Sequence, residues 1–474
     1  MQLRPYQLKA LNDIRAAFRS GKRAPLLVSP TGSGKTIMFS AIAQGAMQKG
    51  KRVLIMAHRV ELIDQIERAL REFGITPGII AANRAESPRA LVQVASVFTL
   101  LRRLERFATF DLIICDEAHH CIAASSWGKV IAHYPQALVL GVTATPQRLG
   151  GEGLDDVFDD LILGPSVQEL IDGGALSRVK VYAPPGPDLS GVHVRMGDYV
   201  QAEINELMSK KTIVGDAVEH YTRHSPGAPA VAFCVSVKHA AAVAAQFTER
   251  GYTSVSIDGS LDSALRRSII ADFSAGRIQV LTSCDVVSEG LDVPRIQTGI
   301  LLRPTQSLSR YLQNVGRCLR PFPGKPHATI LDHAGNTHRH GLATELREWS
   351  LSGTHRTQRN SGADGDIQNV RICEQCFAAN PGGLGQCGEC GTPFKTKNRV
   401  SRHIAGNLEE VTAESVGQVP RSGAGKRPRN DANDLAGLIA LGRMRGYKNP
   451  AGWAAHILAA RDKKRQQTVR DIHD

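Results

Sequence analysis

The sequence predicts two tandem α/β domains built on parallel sheets, then a small cysteine-rich zinc module and a short helical basic tail. Three observations predict this. Short Val/Ile/Leu runs alternate with helix-like segments, the alternation occurs twice, and four of the nine cysteines fall within residues 373–390. Continuous apolar runs bounded by helices signal strands buried on both faces, as in a parallel sheet.

The first domain, residues 1–148, carries the runs LLVS (26–29), VLIMA (53–57), LVQVA (91–95), LIICD (112–116) and ALVLGV (137–142). The second, 226–350, carries AVAFCV (230–235), TSVSI (253–257), QVLTS (279–283), TGILL (298–302) and ATIL (328–331). Between them, residues 149–225, with Pro/Gly-rich VYAPPGPDLSG, read as a connector. The cysteine module spans 371–394, a flexible basic linker 395–432 and a helical tail 433–474. Segments 353–370 and 401–431 are polar, Gly/Ser/Arg-rich and without apolar periodicity. In the tail, Leu435, Leu438, Ile439 and Met444 fall at helical spacing, GYKNP breaks the pattern, and Trp453, Ile457 and Leu458 resume it. Core packing is the plain role for Trp453; base stacking or partner docking is the sharper one.

Composition limits the function classes. With 474 residues, 42% hydrophobic and 22% charged, the chain has material for several buried cores. Its net charge of +13 points to a polyanionic partner such as nucleic acid. Residues 395–474 hold 16 Lys+Arg against 8 Asp+Glu, so +8 of that charge sits in the tail. No uninterrupted apolar run reaches the roughly 18 residues of a membrane span. The N-terminal MQLRPYQLKALNDIRAAFRS lacks an apolar signal core, so a cytoplasmic protein is expected. The scattered placement of the other five cysteines argues against a disulfide framework.

Two motifs carry nucleotide chemistry. SPTGSGKT, residues 29–36, follows a strand and opens a helix, as a phosphate-binding loop requires. Gly32 and Gly34, with Ser33 between them, turn backbone N–H groups inward; Lys35 reaches the β and γ oxygens, and the Thr36 hydroxyl can hold Mg²⁺. The stretch begins with Ser29 where the full pattern has Gly. DEAHH, residues 116–120, ends the LIIC strand, where parallel strands gather ligands. Asp116 would hold Mg²⁺ through water and Glu117 would polarise the attacking water. Adjacent acids alone suggest only a solvated strand end, but a phosphate loop upstream and GVTATP (141–146) downstream change that balance.

SPTGSGKT, AHRVELIDQ (57–65), DEAHH, GVTATP, VVSEGLDVP (286–294) and QNVGRCLRP (313–321) together resemble the superfamily-two helicases. They look most like the DEAH-type DNA helicases of the restriction, repair and phage branch, over roughly residues 3–345. The resemblance implies two RecA-like domains and ATP hydrolysis. RPYQ is similar to that superfamily's adenine-reading motif, which assigns Arg4 and Gln7 to the nucleotide. QNVGRCLRP, which reads as a helix start, implies arginine fingers at Arg317 and Arg320, with Gln313 near the attacking water. Gly290 and Asp292 fall on the nucleotide side of the same cleft. His119, Thr143 and Thr145 match the segment that couples hydrolysis to strand movement. His58 and Arg59, with Thr282 and Ser283, match phosphate contacts on nucleic acid.

Cys373, Cys376, Cys387 and Cys390 form C-x₂-C-x₁₀-C-x₂-C. Each pair can supply two corners of a tetrahedral Zn²⁺ site, and CGECG supplies glycines for a tight turn. Four thiolates leave no open position, so the site would be structural.

The expected function is an ATP-dependent DNA helicase or translocase using ATP, Mg²⁺ and Zn²⁺, with possible protein partners at the tail. Two alternatives stand beside it: a nucleic-acid-stimulated ATPase that remodels protein–DNA complexes without unwinding, and the motor subunit of a restriction-type nuclease complex. No P-D-(D/E)-x-K-like cluster stands out, so cleavage would need a partner. RNA is disfavoured by resemblance alone, since phosphate contacts do not distinguish the sugars.

Overall fold

Strands form where the apolar runs predict them. The computed structural model describes residues 2–148, 152–184, 187–195, 197–208, 211–284, 293–353 and 370–394, and beyond these only 438–439, 449–452 and 454–455. Gly290, Asp292, the two polar linkers apart from end residues 353 and 370, Trp453, and the tail pattern apart from Leu438, Ile439, Asn449 and Pro450 lie outside the described residues. Met1–Thr396 form one unit, which holds both large sheets and the cysteine module.

In its first half the strands are β1 Pro25–Val28, β2 Val53–Ala57, β3 Gly78–Ile80, β4 Val92–Ser96, β5 Leu112–Asp116, β6 Leu138–Thr143 and β7 Asp160–Leu163. They form one sheet in the order β3-β4-β2-β5-β6-β1-β7, parallel throughout. Alternate residues face opposite sides. Ile55, Val94 and Ile114 enter one core, whereas Leu54, Met56, Ile113 and Cys115 enter the other. All are fully buried, at about 1.5–3 kcal/mol for each large aliphatic side chain.

The second half contributes β8 Val179–Tyr182, β9 Val194–Arg195, β10 Asp198–Tyr199, β11 Ala230–Phe233, β12 Ser254–Ile257, β13 Val280–Ser283, β14 Thr298–Leu301 and β15 Ala328–Asp332. A second parallel sheet runs β12-β13-β11-β14-β15-β8, while β9 and β10 make a short hairpin. Finally, β16 Val370–Ile372 and β17 Ala379–Pro381 pair within the cysteine module.

Residues 149–225 do more than connect. They supply β7 to the first sheet and β8 to the second. Both are half-exposed edge strands, DLIL and VKVY, so neither shows the continuous apolar run of a central strand. Between them lies the helix Val167–Asp172, started by a capping box in which Ser166 Oγ accepts from the Glu169 N–H and Glu169 accepts from the Ser166 N–H.

QNVGRCLRP is a helix end, and the expected helix start is corrected accordingly. The helix runs Leu308–Cys318, capped by Ser307 Oγ, which accepts from the Arg310 N–H. Arg317 therefore stands in its last turn. Arg320 lies beyond the C-cap Leu319 and just before Pro321, which cannot continue a helix.

After its last helix, Asn336–His340, the second lobe sends residues 341–353 back onto the first. Arg347 pins the start of this strap through the carbonyls of His340, Leu342 and Glu345. Trp349 and Leu351 then pack against the first lobe's core. Leu351 O accepts the Leu154 N–H at 2.6 Å, and Glu152 bridges Gly353. Gly153 makes this possible, because a Cβ there would stand 2.1 Å from Leu351 O. Gly153→Ala should release the strap, seen as new limited-proteolysis cuts between residues 341 and 353. Gly191→Ala, where a Cβ meets nothing within 4 Å, should cut like wild type.

Candidate functional site

The C-terminal ends of the first sheet's strands open onto a cleft of about 560 Å³ that is also lined by the second lobe. The loop 29–36 leaves β1 and enters the helix Lys35–Met47. Gly32 and Gly34 have φ of 87° and 83°, the left-handed region that glycine alone adopts without strain. Gly34 is also a close approach: a Cβ there would lie 2.5 Å from Gln7 Nε2. The Gln7 amide spans two elements, accepting the Arg4 N–H at 2.9 Å and donating to Ser33 O at 3.2 Å. Tyr6 adds a hydroxyl donor to Ser33 O, and Ser29 Oγ donates to the buried Ser33 Oγ. Arg4, Gln7 and residues 31–36 all line the cleft.

Lys35 Nζ donates to the Ser29 and Pro30 carbonyls at 3.1 and 3.3 Å. Burial lowers its pKa, opposed by the carboxylates of Glu117 and Asp116 and assisted by Arg320 and Arg317. Asp116, at the end of β5, is 6% exposed. Burial and the neighbouring Glu117 push its carboxyl up to about 7, against the pull of Lys35. Glu117 itself sits at φ 51°, ψ 52°, left-handed for a non-glycine residue and a strain of about 1–3 kcal/mol.

His119 stands between this acid and Thr143. Its Nδ1 is 3.4 Å from Glu117 Oε2 and 3.2 Å from Thr143 Oγ1. Thr143 spends its one hydroxyl proton on Thr145 O at 2.9 Å, so it accepts from His119, and Nδ1 carries the proton. Thr145 Oγ1 then donates to Ser309 Oγ at 2.7 Å, with both residues buried. This bond crosses between lobes, because Ser309 lies two turns before Arg317 on the same helix. Nothing in the sequence singles out Ser309; hydroxyls near a helix start look like ordinary caps.

The second lobe meets the phosphate loop closely. A Cβ at Gly316 would stand 2.6 Å from Thr31 Cβ, and one at Gly32 would stand 2.9 Å from Leu176 Cδ2 and 3.6 Å from Arg320 Cγ. Arg317 and Arg320 line the cleft with Lys35, Asp116 and Glu117. Gln313 is 4% exposed and its Nε2 meets no acceptor among the described residues. Residues from 4 to 320 thus converge on one cavity.

The residues matched to nucleic-acid contacts divide. His58 and Arg59 follow β2 at the same sheet edge; His58 packs 4.8 Å from the His120 ring and 6.1 Å from Trp127. Ser283, the last residue of β13, is 2% exposed. Thr282 is corrected: it is fully buried and its hydroxyl donates to Ala240 O at 2.8 Å, so it packs a helix onto the sheet. Strand alternation puts Thr282 and Ser283 on opposite faces, which a paired assignment overlooks.

The four module cysteines bring their sulfurs within 4.8 Å of one another. Cys373 and Cys390 stand 3.6 Å apart, Cys376 and Cys387 3.7 Å. A tetrahedron with metal–sulfur bonds of about 2.3 Å has edges of about 3.8 Å, so the donor set fits Zn²⁺. Donors surround the sulfurs: Asn380 Nδ2 points to Cys387 Sγ, and Thr392 beside Cys390 pulls that thiol down to about 6. The module docks on edge strand β8 through Tyr182 bridged to Ala378, the Ala183 N–H to Phe377 O, and Lys180–Glu389 at 2.6 Å.

A phosphate loop and acid pair in one lobe, facing arginines from a second, define a two-lobed nucleoside triphosphatase. Residues 1–148 match the family described as type III restriction enzyme, res subunit, and 210–321 match the helicase conserved C-terminal domain. A 51.5 kDa protein of a Lactococcus phage is 33% identical over 394 residues, covering 82% of this chain and 83% of its own length. ATP-dependent helicase IRC3 of Saccharomyces cerevisiae is 29% identical over 357 residues, 70% of this chain and 51% of that protein. This chain therefore spans about half of the yeast relative. Among solved structures, the DNA-bound ATP-dependent Type ISP restriction-modification enzyme LlaBIII aligns with TM-score 0.53 at 20% identity, over 70% of this chain and 27% of that one. The chain belongs to the superfamily-two helicases and is a helicase-type ATP-dependent motor. No helix among the described residues is long and apolar enough to cross a membrane.

The Thr145–Ser309 bond yields a prediction. Ser309→Ala leaves the buried Thr145 hydroxyl without its acceptor, at about 1–3 kcal/mol. ATP turnover should fall more than ATP affinity. Adding Thr145→Val should cost little more, and a double-mutant cycle on turnover measures that coupling.

Proposed function

We propose that this motor acts on DNA, as a helicase or translocase. The carrying observation is that Lys35, Asp116 and Glu117 of one lobe and Arg317 and Arg320 of the other line the same cleft. Hydrolysis then requires both lobes together, and loss of the γ-phosphate removes the electrostatic reason for the arginines to stay. Lys35 and the loop N–H groups hold the phosphates, and Gln7 with Arg4 faces the base. Glu117 orients the attacking water, with His119 Nδ1 3.4 Å from its carboxylate. Arg317 and Arg320 stabilise charge developing on the transferred group. Thr36 and Asp116 would hold Mg²⁺, which neutralises phosphate charge when bound. Family likeness gives Gly290 and Asp292 a part in nucleotide binding.

His58, Arg59 and Ser283 are the proposed contacts for the strand, at the same edges of the two sheets. DNA is favoured by the DNA-bound structural neighbour and by the restriction-type family match. The same neighbour favours a second reading, in which this chain is a motor working beside a nuclease partner. The cysteine module holds structural zinc, and the net +8 of residues 395–474 gives the tail a part in gripping the strand.

ATP turnover measured side by side with single-stranded DNA, duplex DNA and RNA tests the substrate. DNA should stimulate more than RNA; equal stimulation by RNA would remove the DNA assignment. Under DNA saturation Arg317→Ala should keep ATP binding and lose about 10³-fold in turnover. Purified protein should contain about one zinc per chain by elemental analysis, and Cys387→Ser should lose it.

A further inference from the structure

Phe98 is a large aromatic side chain left 53% exposed beside the nucleotide lobe's functional edge. Single exposed hydrophobics are ordinary. This one is the outer end of a chain of rings.

Phe98 meets Trp127 edge to face, centroids 6.1 Å apart at 80°. Trp127, 5% exposed, stacks on His120 at 5.7 Å and 27°. His120 lies 4.2 Å from His119, whose Nδ1 is 3.4 Å from Glu117 Oε2. The rings thus run without a gap from the surface to the carboxylate that orients water. The indole N–H of Trp127 meets no acceptor among the described residues, so packing rather than a hydrogen bond sets its position.

Arginines flank Phe98 in the fold. Ala57 of β2 pairs with Ser96 of β4, and Arg59 and Phe98 each follow two residues later from that end of the sheet, Phe98 within the helix Val97–Leu101. Exposed Arg102 follows four residues later at the C-cap of the helix Val97–Leu101. Phe98 lies outside the nucleotide cleft. An exposed aromatic face beside arginines is the arrangement that stacks a nucleobase while holding its phosphates.

We propose that Phe98 stacks a base of single-stranded nucleic acid and that this contact, passed through Trp127, His120 and His119, sets Glu117 for hydrolysis. The proposal rests on the nucleic-acid-dependent reading above. It assigns strand-stimulated turnover a mechanical origin: pressing on Phe98 moves an indole that is held by packing.

The test uses the full chain with a fluorescein-labelled oligothymidylate, reading anisotropy for binding and ATP turnover for stimulation. Phe98→Ala should raise the dissociation constant about tenfold, the loss expected for one aromatic stack, and lower the maximal turnover at saturating oligonucleotide. Phe98→Leu, which keeps apolar bulk without a π-face, should behave alike, and it carries the comparison if the alanine variant folds poorly. Phe98→Trp should restore both. A dissociation constant within twofold of wild type in Phe98→Leu would overturn the stacking role. Weakened binding with an unchanged maximum would overturn the path to Glu117. Wild-type turnover that responds to no nucleic acid would instead sink the underlying reading, whatever Phe98 does.

Discussion

The close seat of the helix Leu308–Cys318 on the phosphate loop is the constraint on which the rest depends. At Gly316 there is no room for a Cβ against Thr31, so the bare backbone of one lobe meets the Thr31 side chain of the other. That approach brings Arg317 and Arg320 into the cleft with Lys35, three cations beside the carboxyls of Asp116 and Glu117. Such a cleft has a surplus of positive charge in a poorly solvated space. A triphosphate answers that surplus, and its loss restores the repulsion.

Closure is also held mechanically. The Thr145–Ser309 bond joins the lobes beside the cleft, and the strap ending at Leu351 and Gly353 joins them at another point. A third link pairs Glu61 with Arg266 at 2.6 Å, Arg266 being also bonded to the Gly259 and Leu261 carbonyls. None of these links uses a residue that lines the nucleotide cleft, so they bias the lobe equilibrium without competing for phosphate. The cysteine module is likewise part of the motor's second lobe. By docking on β8 it covers a sheet edge whose unpaired backbone would otherwise invite strand addition.

Chemistry was legible where one loop carries it. Gly32, Gly34, Lys35, Asp116 and Glu117 lie where local motifs predict, because a strand followed by a phosphate loop and helix is a short-range arrangement. Central strands were legible for a similar reason: burial on both faces demands continuous apolar residues. Edge strands β3, β7 and β8 were not, since they are short or face solvent. Thr282 and Ser283 could not be told apart from composition, as only strand alternation separates a buried packing hydroxyl from one at the strand end.

By itself the sequence determined the phosphate loop, the acid pair, the cysteine spacing and the central strands, because each depends on residues close in the chain. Tertiary structure alone decided that Ser309 meets Thr145, that residues 341–353 return to the first lobe, and that Phe98 joins rings leading to His119. Those contacts link residues 29 to about 200 positions apart. No local propensity encodes them; they follow from which strand ends the parallel crossovers bring side by side and from how two separate sheets seat on one another.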